Sequence, residues 1–327
     1  MSDVSLHTIS LRTQQDTWES LRSASVEATV FTSARWLTTL AAVFNRDPAA
    51  LVAMRGDRCL AGTPLLTHQR GPLRVAAPLP ITLYAGIVRT PLATEALVPL
   101  LAAIEQRYHF VSLGARWSDE DHRILRTRGW ITRSRQTLHV RLGDSQAVWE
   151  GYSQSLRRKL RHIPDGGFVL DHDPSTATIV AMFEQSYRRH GVRPPLPPSA
   201  LERWLHELRE CGLAHCFAAL HPDGRPAAVR VVLRDDATVY DWLAGADLAV
   251  APSASHWLVH HILERFSSQG CTLFDFMGAN TPGVVDFKRG FGGTAVPYMD
   301  AEWYRPTLLR HLDAMRHRGI RLRRGLR

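Results

Sequence analysis

FDFMGANTPGVVDFKRGFGG, residues 274–293, decides the reading of this chain. Phe274, Asp275 and Phe276 alternate as the residues of a buried strand do. Gly278, Pro282 and Gly283 then break the strand into a turn. After the turn, a short segment presents Lys288 among glycines and aromatics. An isolated cation beside the end of a buried apolar strand is a place to expect chemistry.

Working outward, the same end of the chain holds a helix over 253–269 and, before it, a three-strand meander from Ala214 to Ala246 with turns at 222–224 and 235–236. Helices are predicted over 146–162, 174–190 and 199–211, with IPDGG (163–167) as a clear stop. In the first half, FTSARWLTTLAAVF (31–44) is an amphipathic helix with Thr32 or Ser33 as its cap. Strands come next at 51–55, 59–68 and 73–76, and RGDR (55–58) is a hairpin turn. A helix is expected over 94–108 and a strand over 109–113. Hairpin-length turns join most strands, so the class is α+β, in two coarsely similar halves, and not one long parallel sheet. A strand over 295–303 and a basic helix from Thr307 close the chain.

The chain has 327 residues, enough for one large or two ordinary domains. Its 45% apolar and 22% charged residues are those of a soluble globular protein. No run of 18 apolar residues occurs, so no membrane span is expected. The polar N-terminus lacks the apolar stretch of a signal peptide. Cys59, Cys211, Cys216 and Cys271 form no C-x-x-C pair, which suits a reducing cytoplasm. The net charge is +9 and the pI near 9.9. Such a balance attracts phosphate-bearing partners, although arginine-rich composition also arises from GC-rich coding. Only two lysines are present, Lys159 and Lys288.

In order along the chain, FTSARWL, SQSLRRKLRHI (153–163), YDWLAGAD (240–247), the helix APSASHWLVHHILERFSSQG (251–270) and FDFMG…FKRGFGG resemble the layout of the Fem-type (FemABX) aminoacyltransferase and BioF2-like acetyltransferase family, GNAT superfamily. The last piece is the specific one. The resemblance implies tandem GNAT-like (acyl-CoA N-acyltransferase) domains, each a mostly antiparallel mixed sheet flanked by helices. It places an N-terminal domain at 1–144, a C-terminal domain at 145–305 and a basic tail at 306–327. It implies transfer of an acyl or aminoacyl group onto an amine, from aminoacyl-tRNA in the Fem branch and from acyl-CoA in the other.

Acyl transfer sets what the individual residues must do. A cation or N–H donor near the reacting carbonyl stabilises the oxyanion by a few kcal/mol. Lys288 is the candidate for that role, Phe287 the group that excludes water, and the resemblance carries the Phe-Lys pair to these positions. The alternative for Lys288 is a solvated lysine in a turn. Asp275 faces away from the Phe274–Phe276 side; it is either a proton acceptor for the amine or a structural carboxylate. Tyr240, Asp241, Trp242, His256 and Asn280 are candidates for binding the acceptor. Arg157, Arg158, Lys159, Arg161 and Arg289 are candidates for holding the phosphates of a donor, against the alternative that cations merely complement a helix C-terminus.

Absent motifs matter too. The strand-to-helix junction GADLAVAPSASHW (245–257) has no Q/R-x-x-G-x-G/A spacing, the glycine loop that cradles a coenzyme A pyrophosphate. With the charge, this favours aminoacyl-tRNA over acyl-CoA. His256, His260 and Glu264 share a helix face, but the helix is packed with apolar residues and no metal is expected. No nucleophile elbow, P-loop or dinucleotide fingerprint appears, so transfer is direct, without a covalent enzyme intermediate or a resident cofactor. The expectation is a cytoplasmic N-acyltransferase that moves an aminoacyl group from aminoacyl-tRNA to the amine of a small-molecule or peptide acceptor. The alternatives are an acyl-CoA-dependent enzyme of the same fold and a non-catalytic RNA-binding protein on that scaffold.

Overall fold

The computed structural model describes residues 4–76, 81–91, 93–164, 167–189, 191–248, 251–278 and 282–306. Two compact units emerge: Met1–Ser134 with the segment from Tyr298, and Arg135–Pro297. The backbone passes between them within two strands, not through a Gly/Pro-rich linker, so composition carries no mark of the border.

The first unit contains β1 (Ser5–Ser10), α1 (Gln15–Ser23), α2 (Ala34–Val43), β2 (Ala49–Arg55), β3 (Arg58–Leu65), β4 (Thr67–Arg70), β5 (Leu73–Ala76), β6 (Val88–Arg89), α3 (Leu97–Arg107), β7 (Phe110–Ala115) and α4 (Asp119–Thr127). β1, β2, β3 and β6 are neighbours in that order, each antiparallel to the next. The RGDR turn closes the β2–β3 hairpin, with Gly56 at φ 58° where a side chain would be strained. Ser33 caps α2 by accepting the Trp36 N–H. Trp36, Leu37 and Leu40 are its buried face.

After β8 (Ile131–Arg141), the second unit runs α5 (Ser145–Gly151), α6 (Gln154–Arg161), β9 (Val169–Asp171), α7 (Thr176–Arg189), α8 (Pro198–Glu210), β10 (Ala214–Leu220), β11 (Pro226–Asp235), β12 (Thr238–Ala246), α9 (Ala254–Ser268), β13 (Leu273–Asp275) and α10 (Pro282–Arg289). β14 (Thr294–Tyr304) comes last. The meander is β10–β11–β12, antiparallel throughout. β12 then pairs in parallel with β13, and β13 antiparallel with β8. The β12–β13 crossover is α9, as a parallel pair requires. Leu258, Val259, Ile262, Leu263 and Phe266 of α9 join Phe274, Phe276 and Phe291 in one core. Burial of each such side chain is favourable by roughly 1.5–3 kcal/mol.

Two local predictions are corrected. The helix expected over 146–162 is two helices, because Tyr152 is extended and Ser153 caps a fresh start, accepting the Leu156 N–H. The backbone break also lets the glycine-rich end of the signature approach. The Ser153 N–H donates to the Gly290 carbonyl at 2.8 Å. A Cβ on Gly292 would lie 2.3 Å from the Gly151 carbonyl oxygen. The segment carrying Lys288 is not a turn but α10. Proline is tolerated in a helix's first turn, where its missing N–H costs nothing. Lys288 thereby gains a fixed backbone and a buried position. The basic tail from residue 307 lies outside the described residues. Among the described residues no helix is long and apolar enough to cross a membrane.

Candidate active site

β12 and β13 are paired only over Thr238↔Leu273, Val239↔Phe274 and Tyr240↔Asp275. Beyond that point β12 continues to Ala246 while β13 has ended. A cavity of about 640 Å³ opens there, lined by β12 from Asp241 onward, by the start of α9, by α7 and by Lys288 of α10. The carboxyl end of a parallel strand pair is the usual place for a ligand in such sheets.

A β-bulge shapes the wall. Val231 pairs with Leu243 and Val232 with Asp241, so Trp242 is the extra residue. Consecutive strand residues ordinarily point to opposite faces. The bulge cancels that alternation, and both Asp241 and Trp242 line the cavity. Tyr240 is buried and does not line it. Gly245 is required by packing, since its Cβ would lie 2.6 Å from the Met182 carbonyl carbon in α7.

Lys288 is 8% exposed. Its Nζ donates to the carbonyls of Phe276 at 2.6 Å, Met277 at 3.3 Å and Gly278 at 2.6 Å. All three ammonium protons are thus spent on the turn after β13, where Met277 and Gly278 take positive φ. Lys288 is a clasp on that turn as well as a charge at the cavity wall. Burial pushes its pKa down to about 8; Asp241 pulls upward, Arg230 pushes down, and Asp275 pulls upward.

Asp275 lies fully buried and off the cavity wall. Its Oδ1 accepts from Thr137 Oγ1 at 2.5 Å and from the Met277 N–H at 2.8 Å, and its Oδ2 is 3.1 Å from His139 Nε2. Burial works to raise its pKa, but bonding and charge from His139, then the Thr137 and Met277 bonds, outweigh it and hold the pKa below the usual range. The sequence left a cleft-facing proton acceptor open for Asp275. Its surroundings make it a holder of the same turn that Lys288 clasps.

Arg230 of β11 is absent from the sequence candidates. Its signal is a lone arginine in the apolar strand AAVRVVL. It is 5% exposed and forms a buried ion pair with Asp241, while its Nη2 donates to Ser255 Oγ at 3.0 Å. Yet Arg230 Nε and Asp241 Oδ1 are buried with no hydrogen-bond partner among the described residues. Polar atoms left so inside a wall are rare and point to function. The Arg230 guanidinium sits 5.2 Å over the Phe287 ring, and Phe287 in turn lies 4.6 Å from the His256 ring. Burial, then Lys159 and Arg230, lower the His256 pKa to about 4, so the imidazole is neutral at pH 7.

The structure therefore brings together Asp241, Trp242, His256, Phe287 and Lys288 from the sequence candidates. Asn280 lies outside the described residues. Arg289 is exposed at the end of α10. Lys159 reaches the site from α6, its Nζ 3.4 Å from His256 Nε2. Arg157 donates to the Glu150 carbonyl, and Arg161 lies over Trp149 at 5.6 Å. Among the described residues no carboxylate pairs with Arg157, Arg158, Lys159 or Arg161. No group of three or more His, Cys, Asp or Glu suited to a metal ion occurs among the described residues.

Residues 151–289 match the family described as acetyltransferase (GNAT) domain. No curated protein matches the chain in sequence. Among solved structures, FemX superposes with a TM-score of 0.72 at 12% identity, over 94% of this chain and 99% of that one. L-PGS from Bacillus licheniformis gives 0.57 at 13%, over 94% and 95%. A tandem GNAT protein from the clavulanic acid biosynthesis pathway gives 0.57 at 10%, over 92% and 98%. Residues 151–289 are thus a GNAT-type acetyltransferase domain by sequence, and the chain shares its fold with FemX, L-PGS and the tandem GNAT protein.

Proposed function

We propose that the protein transfers an aminoacyl group from aminoacyl-tRNA to the amine of a small-molecule or peptide acceptor. The observation that carries this donor is α6. Four cations without carboxylate partners among the described residues lie on one short helix, and one of them, Lys159, touches the cavity wall at His256. An unneutralised cationic helix beside a reaction cavity suits a phosphate-rich donor. The β12–α9 junction also lacks the glycine spacing of a pyrophosphate loop.

In this reading the acceptor nitrogen attacks the ester carbonyl of the donor. The new C–N bond forms, the bond to the ribose oxygen breaks, and the ribose hydroxyl leaves with a proton that the amine gives up. Negative charge builds on the carbonyl oxygen in between. Lys288 stabilises it, and its Met277 bond, the longest of the three at 3.3 Å, is the one that exchanges for the oxyanion. Phe287 excludes water from that side. Asp275 is a positioning residue: it holds the turn whose carbonyls orient Lys288. Asp241 and Arg230 set the charge that Lys288 feels.

An acyl-CoA donor is the second reading. Its supporting observation is the acetyltransferase family match over residues 151–289. The experiment is a single-turnover assay with a panel of aminoacyl-tRNAs and with acyl-CoA, over a salt series and with a mixture of amine acceptors. Discharge of one aminoacyl-tRNA, weakening steeply with salt, is the expected result. Turnover with acyl-CoA alone would overturn the donor.

A further inference from the structure

A second cavity, of about 360 Å³, lies on the same unit and takes no part in the chemistry above. Its walls carry Trp149, Phe168, Trp257, Arg161, His260 and His261. The rings meet around it. Phe168 and Trp257 are 5.6 Å apart, Trp257 and His261 4.2 Å, and Trp149 and His260 5.4 Å. The Arg161 guanidinium lies 5.6 Å from the Trp149 centroid. The three large rings are half-buried. They pack against the core and also line the cavity. Burial holds His260 below its ordinary pKa, so its imidazole is neutral at pH 7. Such a wall offers aromatic rings with a cation over one of them, which suits a heterocyclic base joined to a phosphate.

Its position narrows the choice. His256 lines the reaction cavity and His260 the second one, both on α9. Four residues of helix span about 6 Å. α6 bridges the same gap, with Lys159 at His256 and Arg161 at the second cavity. The two cavities therefore adjoin along the α6–α9 seam, with lining residues about one helical turn apart. In an aminoacyl-tRNA the acyl ester sits on the very ribose that bears the terminal adenine. In acyl-CoA a pantetheine and pyrophosphate arm separates thioester from adenine. We infer that the second cavity receives the 3′-terminal adenine of the tRNA donor, stacked on Trp257 and Trp149, with Arg161 at the adjoining phosphate. This rests on the aminoacyl-tRNA reading.

The test uses the full chain and two uncharged acceptor-stem minihelices, one ending in CCA and one ending in CC. Wild type should bind the CCA form more tightly, by roughly 5- to 100-fold, the usual worth of one stacked base. Trp257→Ala should lose that preference and leave the affinity for the CC form and for acetyl-CoA unchanged, and Trp257→Phe should keep most of it. Should the alanine variant fail to fold, 2-aminopurine in place of the terminal adenine gives an independent reading on wild type, where stacking quenches its fluorescence. Equal affinity for the two minihelices, or an unquenched 2-aminopurine, sinks the inference while leaving the donor reading intact. Absence of minihelix binding together with acetyl-CoA turnover sinks the donor reading and the inference with it.

Discussion

Each unit of this protein buries an Arg–Asp pair, and the two pairs are built to different standards. In the first unit, Arg89 donates from both terminal nitrogens to Asp121, each at 2.7 Å. Its Nε is 3.3 Å from Glu27, and Asp121 also accepts the Ser118 N–H in the capping box of α4. Neither residue is left with an unsatisfied buried atom among the described residues. In the second unit, Arg230 and Asp241 meet at a cavity, and each keeps a buried polar atom with no partner among the described residues. A fully bonded pair is a fastener. A half-bonded pair costs stability and persists where its charge is used. Both pairs look alike in sequence, as an arginine and an aspartate far apart.

That contrast is open to attack, and the largest effect should come from the fastener. Asp121→Asn should cost about 3–5 kcal/mol in urea unfolding, because it removes the carboxylate that both terminal nitrogens of Arg89 bond, with no change in the transfer rate of the remaining folded protein. A slower folded enzyme would end the distinction. Lys288→Ala should lower single-turnover transfer by roughly 10²–10³-fold. It also leaves three carbonyls without a donor, so a stability loss of about 1–3 kcal/mol should accompany it. A folded variant with near wild-type transfer would remove Lys288 from the chemistry.

Asp241→Asn should cost less than the Asp121 change, about 1–3 kcal/mol, yet alter the pH profile. Asp241 holds the Lys288 proton on, so the asparagine variant should lose activity at lower pH than wild type. In wild type, transfer should decline as pH rises through about 8, where Lys288 loses its charge. Stability should respond oppositely. The unfolded lysine keeps its proton up to about 10.5 while the folded one releases it near 8. Between those values the unfolded chain binds more protons, and the Lys288 contribution to stability rises with pH. Lys288→Arg should abolish the alkaline decline. A decline unmoved by that change would assign it to the acceptor amine. The smallest effects belong to α6. Arg158→Ala and Arg161→Ala should each reduce the slope of log affinity for tRNA against log salt by about 1, with unfolding midpoints unchanged.

Much of the fold could be read from residue patterns. The β10–β12 meander, the helix now seen as α9 and the hairpin at RGDR are set by local chemistry: apolar runs closed by turn residues, helical periodicity and glycine at a positive φ. The same local rules failed at 146–162, where Gly151 and Ser153 interrupt the helix pattern but nothing in the run shows that Gly292 must approach Gly151. They failed again at Lys288, where the flanking glycines suggested a loop and the structure makes a helix.

By itself the sequence determined the α+β class, the β10–β12 meander with the helix after it, and the stretch that matters. Those arise from interactions between near neighbours along the chain. Only the tertiary structure decided which of the marked residues share a cavity. Asp241 and Trp242 face the same way because of a bulge whose cause lies in the register with β11. Asp275 became a structural carboxylate because Thr137 and His139, far off in sequence, surround it. Arg230 entered the site through a partner eleven residues away across a hairpin. Contacts of that kind depend on pairing register and burial, and neither is encoded in any one stretch of the chain.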